Sequence, residues 1–364
     1  MRTAALLLRL ACAYGMAVNS INRAKPTRTT VSLAEVLSTC VDAASRGCAE
    51  ISAVQSRRAA GGELSVAMKD QADVRSALTE ADLAAQRVMV GALRSAWPGL
   101  VIVGEEDEDE SAGAADEVTG PPLRRDLCAE LGAPGLEAPL EELCVFVDPL
   151  DGTREFVEGR LENVQSLVGL ARRGRPVAGA VGLPFAAAGS DDPAAAAVSE
   201  PVVVYGLVGA GTGTCGVRPR AATTIGARPL VATGDSGNAC LSAARGAALA
   251  GGGTAHVVGG AGHKLLMAAY GEADLAIMHF GTRLWDSNPN PNPDPDPDPN
   301  PSPNSTGTSL WDSCAPGAIV LAKGGRVTDL FGAPLVHLPG ADLKNGLGVV
   351  ASAPGAAARH EALP

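Results

Sequence analysis

The chain has 364 residues, 46% hydrophobic, 19% charged and only 3% aromatic. That is enough apolar material for two α/β domains with cores of Ala, Val, Leu and Ile. It offers too few aromatic platforms for single-stranded nucleic acid. A formal net charge of −11 disfavours a duplex nucleic-acid partner, and an anionic substrate would need local cations or metal ions to reverse the field.

Residues 1–34 carry Arg2, Arg9, Arg23, Lys25 and Arg28 and no acidic residue. With Ser, Thr and an apolar patch at Leu6–Leu10, they read as an organellar transit peptide, chloroplast or mitochondrial, with residues 1–30 outside the fold. An ordinary basic first helix in a cytoplasmic protein is the alternative. Leu33, Val36, Leu37, Cys40, Val41 and Ala44 recur at helical spacing and predict a helix over Val31–Ile51. A second helix is expected over Glu80–Trp97, stopped by Pro98-Gly99, and a buried strand over Leu100–Val103. The acidic run Glu105–Glu110 reads most simply as a solvated loop.

Strands are expected over Leu143–Val147 and Asn163–Leu170, then over Pro176–Val181 and Val202–Gly209 around an Ala/Gly/Asp-rich hairpin loop. From Pro229 the pattern alternates: strand Leu230–Ala232, helix Ala239–Leu249, strand Ala255–Val258, helix Lys264–Tyr270, strand Leu275–Phe280. A boundary near residue 225 would divide an α/β domain over 31–225 from a second over 226–364. No apolar run reaches about 18 residues, so no transmembrane helix and no membrane partner is expected. The eight cysteines form no Cys-x-x-Cys pair, which argues against a disulfide framework or structural zinc and for a reducing compartment.

Leu284-Trp285-Asp286-Ser287 recurs as Leu310-Trp311-Asp312-Ser313, and the residues between begin Asn-Pro-Asn-Pro-Asn-Pro-Asp-Pro. Alternate prolines forbid helix and ladder pairing alike, so an extended, solvated insert is expected over 285–310. It is either an insertion with a duplicated edge or a retained intron.

Four short stretches can carry chemistry. Asp148-Pro149-Leu150-Asp151-Gly152-Thr153 follows a buried strand. If the chain turns sharply there, two carboxylates and the Leu150 carbonyl converge as hard oxygen ligands suited to Mg²⁺. A plain turn ending in a Thr cap is the alternative. Gly104-Glu105-Glu106 also ends a strand, although the acidic run makes a loop equally natural. Asp312 would open a helix with a free carboxylate, or serve as its N-cap. Thr79 and Asp82 have capping-box spacing, and Asp82 could instead orient a water.

Taken together in this order, these motifs resemble the lithium-sensitive, magnesium-dependent phosphatase superfamily that includes inositol monophosphatase and fructose bisphosphatase. Arg154–Gly159 with Asn163-Val164, Val258–Lys264 and Cys314-Ala315-Pro316 look most like its bisphosphate nucleotidase branch. The resemblance covers about Leu33 to Ser352 apart from the insert. It implies a five-layer α/β/α/β/α sandwich. It implies two or three Mg²⁺ ions held by Glu105, Asp148, Asp151, Asp312 and the Leu150 carbonyl, with Asp82 and Thr153 activating the attacking water. It also implies a small phosphorylated nucleotide substrate met by Thr233, Gly260 and Lys264 as well as Thr153 and Asp312, in a monomer. The reaction implied is removal of the 3'-phosphate of 3'-phosphoadenosine 5'-phosphate, in sulfur metabolism.

Two departures matter. The family carries a histidine that packs on the base near the position of Ser236; this chain has none, so Ser236 is the substrate-binding residue expected there and an inositol phosphate phosphatase stays open. The insert lies beside the last metal position, which keeps an inactive nucleotide-binding homologue open. Of the two copies, Asp312 is expected to be the ligand, because it leads into a helix whereas Asp286 faces prolines.

Overall fold

The computed structural model describes residues 29–68, 77–106, 121–186, 201–216, 229–235, 239–250, 252–278, 308–340 and 343–363. The transit-peptide segment, most of the Asn-Pro insert, Asp286 and Ser236 lie outside these. Strand β1 (Thr30–Ser32) leads into helix α1 (Leu33–Ala59), followed by β2 (Val66–Met68), β3 (Ala77–Thr79), α2 (Glu80–Ala96) and β4 (Val101–Gly104). Next come β5 (Glu137–Pro139), β6 (Leu143–Asp151), α3 (Thr153–Glu158), β7 (Gln165–Arg172), β8 (Arg175–Leu183), β9 (Val202–Leu207) and β10 (Gly211–Cys215). The remainder runs β11 (Leu230–Thr233), α4 (Ala239–Leu249), β12 (Thr254–Val257), α5 (Ala261–Ala269), β13 (Leu275–Met278), α6 (Leu310–Ala322), β14 (Arg326–Thr328), β15 (Val349–Ser352) and α7 (Ala357–Glu361).

A six-stranded sheet has the order β10-β9-β8-β7-β6-β4, with only β4 and β6 parallel. A five-stranded sheet has the order β12-β11-β13-β15-β14, parallel over its first three strands and antiparallel beyond. Strand alternation decides what each face meets. Along β6, Val145 and Val147 join the core formed with α1 and α2, whereas Cys144 and Phe146 face Leu310 and Cys314 of α6. In the second sheet, Ala232, Ala276, Met278, Val349 and Ala351 pack toward α5 and α6, while Val231, Leu275, Ile277 and Val350 meet α4. The result is five layers: α1/α2, sheet, α5/α6, sheet, α4.

The first sheet ends at Cys215 and the second opens at Leu230, but α6 belongs to neither alone. It lies directly on the β7–β8 backbone because Gly169 and Gly179 have no side chain there; a Cβ on either would collide with Ala315. Cys40, Cys48, Cys128, Cys144, Cys215 and Cys314 are free thiols, and among the described residues no helix is long and apolar enough to cross a membrane.

Five sequence expectations need correction. The strand expected to be buried over Leu100–Val103 is β4, at the edge of its sheet, with Val101 exposed and the rest half-buried. Helix α1 runs to Ala59, not Ile51, because helix propagation continues past the buried stripe. Strand β6 does not stop at Val147; it continues to Asp151. The acidic run is not solvated from its start, since Glu106 is buried. Asp312 is not an N-cap: Ser309 is the cap of α6 and Asp312 is its third helical residue.

Candidate metal and substrate site

In a regular strand, residues three apart point to opposite faces. Asp148 pairs with Leu167 and Asp151 with Gln165, so three steps on β6 match two on β7 and the register shifts between them. The bulge brings both carboxylates to one side. Gly152, at φ 87°, then turns the chain into α3 in a conformation that an L side chain resists. Asp312 arrives from α6, and one carboxylate oxygen from each of Asp148, Asp151 and Asp312 lies within 4.8 Å of the others.

Parallel pairing of Gly104 with Val147 delivers Glu105 beside this group, with its amide donating to the Val147 carbonyl at 3.0 Å. The Glu105 side chain lies near enough to the Asp148 carboxyl to act on its charge. Gln86 fixes this turn from α2: its Nε2 donates to the Glu106 carbonyl (2.6 Å) and its Oε1 accepts from the Glu106 amide (3.0 Å).

Burial raises the Asp148 carboxyl well above the usual carboxylate range, and Glu105, Asp151 and Asp312 push the same way. Burial likewise raises Asp151 to about 6 and Asp312 to about 7. Asp148 Oδ1 is buried with no hydrogen-bond partner. A cluster of desolvated, mutually repelling carboxylates with an unmet oxygen fits a hard divalent cation.

Asp82 and Thr153 meet beside the cluster. Thr153 Oγ1 lies 3.0 Å from Asp82 Oδ1 and 3.1 Å from the Leu150 carbonyl, and can donate to either. The other Asp82 oxygen accepts from the Thr79 amide and hydroxyl at 2.7 and 2.6 Å. Capping and the link to Thr153 are therefore both present in one side chain. Burial raises Asp82 to about 6, against the lowering effect of its Thr79 hydrogen bonds.

The second sheet closes the site from the opposite side. Asp151 accepts the amides of Ala261 and Gly262 at 2.8 Å each, at the start of α5. Gly260 is the residue before that helix. Lys264 is buried, donates to the Val258 carbonyl at 3.1 Å, and has its amine pushed down by desolvation against the pull of Asp151 and Asp312. Thr233 ends β11, fully buried, with its hydroxyl unpartnered. An exposed pair, Arg154 to Asp235 at 3.0 Å, joins α3 to the segment after β11.

Glu105, Asp148, Leu150, Asp151, Asp312, Asp82 and Thr153 thus converge, with Gly260 and Lys264 joined to them through Asp151. Sequence reading missed two side chains. Gln86 looks like an ordinary helical residue until its contacts are seen. Gln165 is fully buried beside Asp151, its amide packed against Gly262 and without a protein partner. A glutamine at an inward position of an otherwise apolar strand was the available signal.

The chain as a whole is similar to known proteins. The inositol monophosphatase family model matches residues 32–289, and the chain belongs to that family. The match ends inside the Asn-Pro segment and so includes the first Leu-Trp-Asp-Ser copy but not the second. The chain is 27% identical to 3'(2'),5'-bisphosphate nucleotidase 1 of Dictyostelium discoideum over 76% of this chain and 80% of that protein. It is 29% identical to the Mus musculus protein of the same name over 80% of this chain and 83% of that one. The fold is similar to that of the suppressor protein suhB from Bartonella henselae, with a TM-score of 0.57 at 18% identity over 90% of this chain and 98% of that one.

Proposed function

We propose that the chain is a Mg²⁺-dependent phosphatase that converts 3'-phosphoadenosine 5'-phosphate to AMP and phosphate, and acts on the 3'-phosphate of 3'-phosphoadenylyl sulfate by the same bond cleavage. The observation that carries the phosphatase reading is the convergence of Asp148, Asp151 and Asp312 with an unmet Asp148 oxygen. The nucleotide reading is supported by the relatives that share most of their length with this chain.

Asp148, Asp151, Asp312, Glu105 and the Leu150 carbonyl would hold the ions. Bound Mg²⁺ supplies charge neutralisation at the phosphoryl oxygens and a water of lowered pKa. Thr153 and Asp82 orient the attacking water, and ionised Asp82 receives its proton by way of the Thr153 hydroxyl. The water oxygen bonds to phosphorus as the bond to the ribose 3'-oxygen breaks, and that oxygen takes its proton from a solvent water, while Asp82 returns the proton it received to solvent. Lys264 offers a fixed positive charge to a second phosphate, and Thr233 an unmet hydroxyl to the nucleoside. The sequence has Ser236 near the position where the family carries a histidine, which keeps inositol phosphate hydrolysis as the second reading.

Phosphate release from 3'-phosphoadenosine 5'-phosphate and inositol 1,4-bisphosphate, each with Mg²⁺ and with or without Li⁺, tests this. Lithium-sensitive release from the nucleotide is expected. Release from the inositol compound alone would replace the nucleotide reading, and release from neither would favour the inactive homologue.

A further inference from the structure

The first turn of α6 must be held from outside, because a helix begins with backbone donors that have no intrahelical partner. Asp312 itself is engaged in capping: one of its oxygens accepts the Ser309 amide at 2.5 Å. Whatever fixes Ser309 therefore also fixes the Asp312 carboxylate.

The segment Leu343–Asn345 does this. The Leu310 amide donates to the Leu343 carbonyl (2.8 Å) and the Asn345 amide to the Thr308 carbonyl (2.9 Å). Lys344 Nζ reaches Ser309 Oγ at 2.9 Å. Asn345 Nδ2, on a side chain only 5% exposed, donates to the Ser309 carbonyl at 2.6 Å and to Ser313 Oγ at 3.0 Å. The same Ser313 hydroxyl lies 2.9 Å from Nε2 of the fully buried His337, whose backbone amide is tied to Gly174 in the β7–β8 turn. One amide side chain thus grips the cap residue and the residue after Asp312 together, and the grip continues to the first sheet.

We propose that Asn345 is a positioning residue for the metal site: the Leu343–Asn345 clamp holds Asp312 in the carboxylate cluster and admits the second Leu-Trp-Asp-Ser copy rather than the first. The inference rests on the metal reading above. The choice between copies follows from one residue. Thr precedes both copies by two positions, but the residue immediately before is Ser309 in the second and Arg283 in the first. Only serine offers a cap acceptor and a hydroxyl for Lys344.

Calorimetric Mg²⁺ titration of the full chain tests this without any substrate. Asn345→Ala should weaken Mg²⁺ binding roughly tenfold, the cost of losing a residue that orients a metal ligand, and saturating Mg²⁺ should restore its phosphate release. Mg²⁺ affinity within twofold of the parent, whatever the melting temperature, overturns the clamp. If Asn345→Ala does not fold, Lys344→Met and Ser309→Ala take its place, each expected to weaken binding several-fold; unchanged affinity in both overturns the proposal equally. A parent chain that binds no Mg²⁺ overturns the metal reading and the clamp with it.

Discussion

The two carboxylate-bearing segments of the site are built in opposite ways. Asp148–Thr153 is local: a buried strand, one bulge and one left-handed glycine set both carboxylates and the Leu150 carbonyl within six consecutive residues. Thr308–Ser313 is imported: Asp312 reaches the same point on a helix held by residues from Leu343–Asn345 and His337. Geometry fixed by the local backbone fails outright when a ligand is removed. Geometry fixed by distant hydrogen bonds should fail by degrees.

The largest expected effect is in the local segment. Asp148→Asn should lower Mg²⁺-dependent phosphate release by at least about 10²–10³-fold, the loss typical of removing one preorganised charge-stabilising group. The metal-free melting temperature should hold or rise, because a buried repelling carboxyl is gone. Near-normal turnover would break the comparison at its firmer side.

Thr153→Ala comes next, with a loss on the order of 10²-fold from a misplaced proton acceptor. Asp82 adds a pH signature. Burial raises its carboxyl to about 6, and it must be ionised to take a proton. Activity should therefore climb as pH rises toward about 6, with the limb shifted lower once Mg²⁺ is bound, and Asp82→Asn should remove that limb from the rate profile.

A stability effect follows from the same burial. Asp82 and Asp151 are raised to about 6 and Asp312 to about 7 in the folded chain, above an unfolded value near 3.9. The folded state then binds more protons than the unfolded state in this window. Metal-free stability is fully present below about pH 4 for these groups and is lost as pH rises through about 6 to 7. Melting scans in a chelator should fall over that range, and stabilisation by Mg²⁺ should grow over it.

The smallest effect sharpens the imported side. Deleting Arg283–Thr308 joins Thr282 to Ser309 and keeps the cap, whereas deleting Leu284–Ser309 leaves Arg283 in its place. The first should match the parent in Mg²⁺ affinity. The second should lose about 1 kcal/mol of stability from the missing cap, read by denaturant titration, and bind Mg²⁺ more weakly.

Legibility in the sequence followed the same division. The convergence within Asp148–Thr153 could be read because its carboxylates, turn and helix start are contiguous. The helix over Ala239–Leu249 could be read because its apolar spacing is unbroken. Strands β10, β14 and β15 could not, since five, three and four residues carry little pattern and exist through pairing. The continuation of β6 through the motif was hidden because Pro149 and Gly152 look like turn residues, while the partner strand β7 decides the register. Ser309 and Asp312 both qualify as caps by composition, and only the reciprocal capping box assigns them. Gln86 and Asn345 had no readable role, because their partners Glu106 and Ser309 lie 20 and 36 residues away.

The duplicated motif permits the most direct test. Mg²⁺ binding measured by calorimetry on Asp312→Asn and Asp286→Asn, in the otherwise intact chain, compares the two copies under one condition. Loss of binding in Asp312→Asn with parent-like binding in Asp286→Asn is the predicted result. Loss in Asp286→Asn with binding preserved in Asp312→Asn would show that the first copy supplies the ligand and would contradict the account.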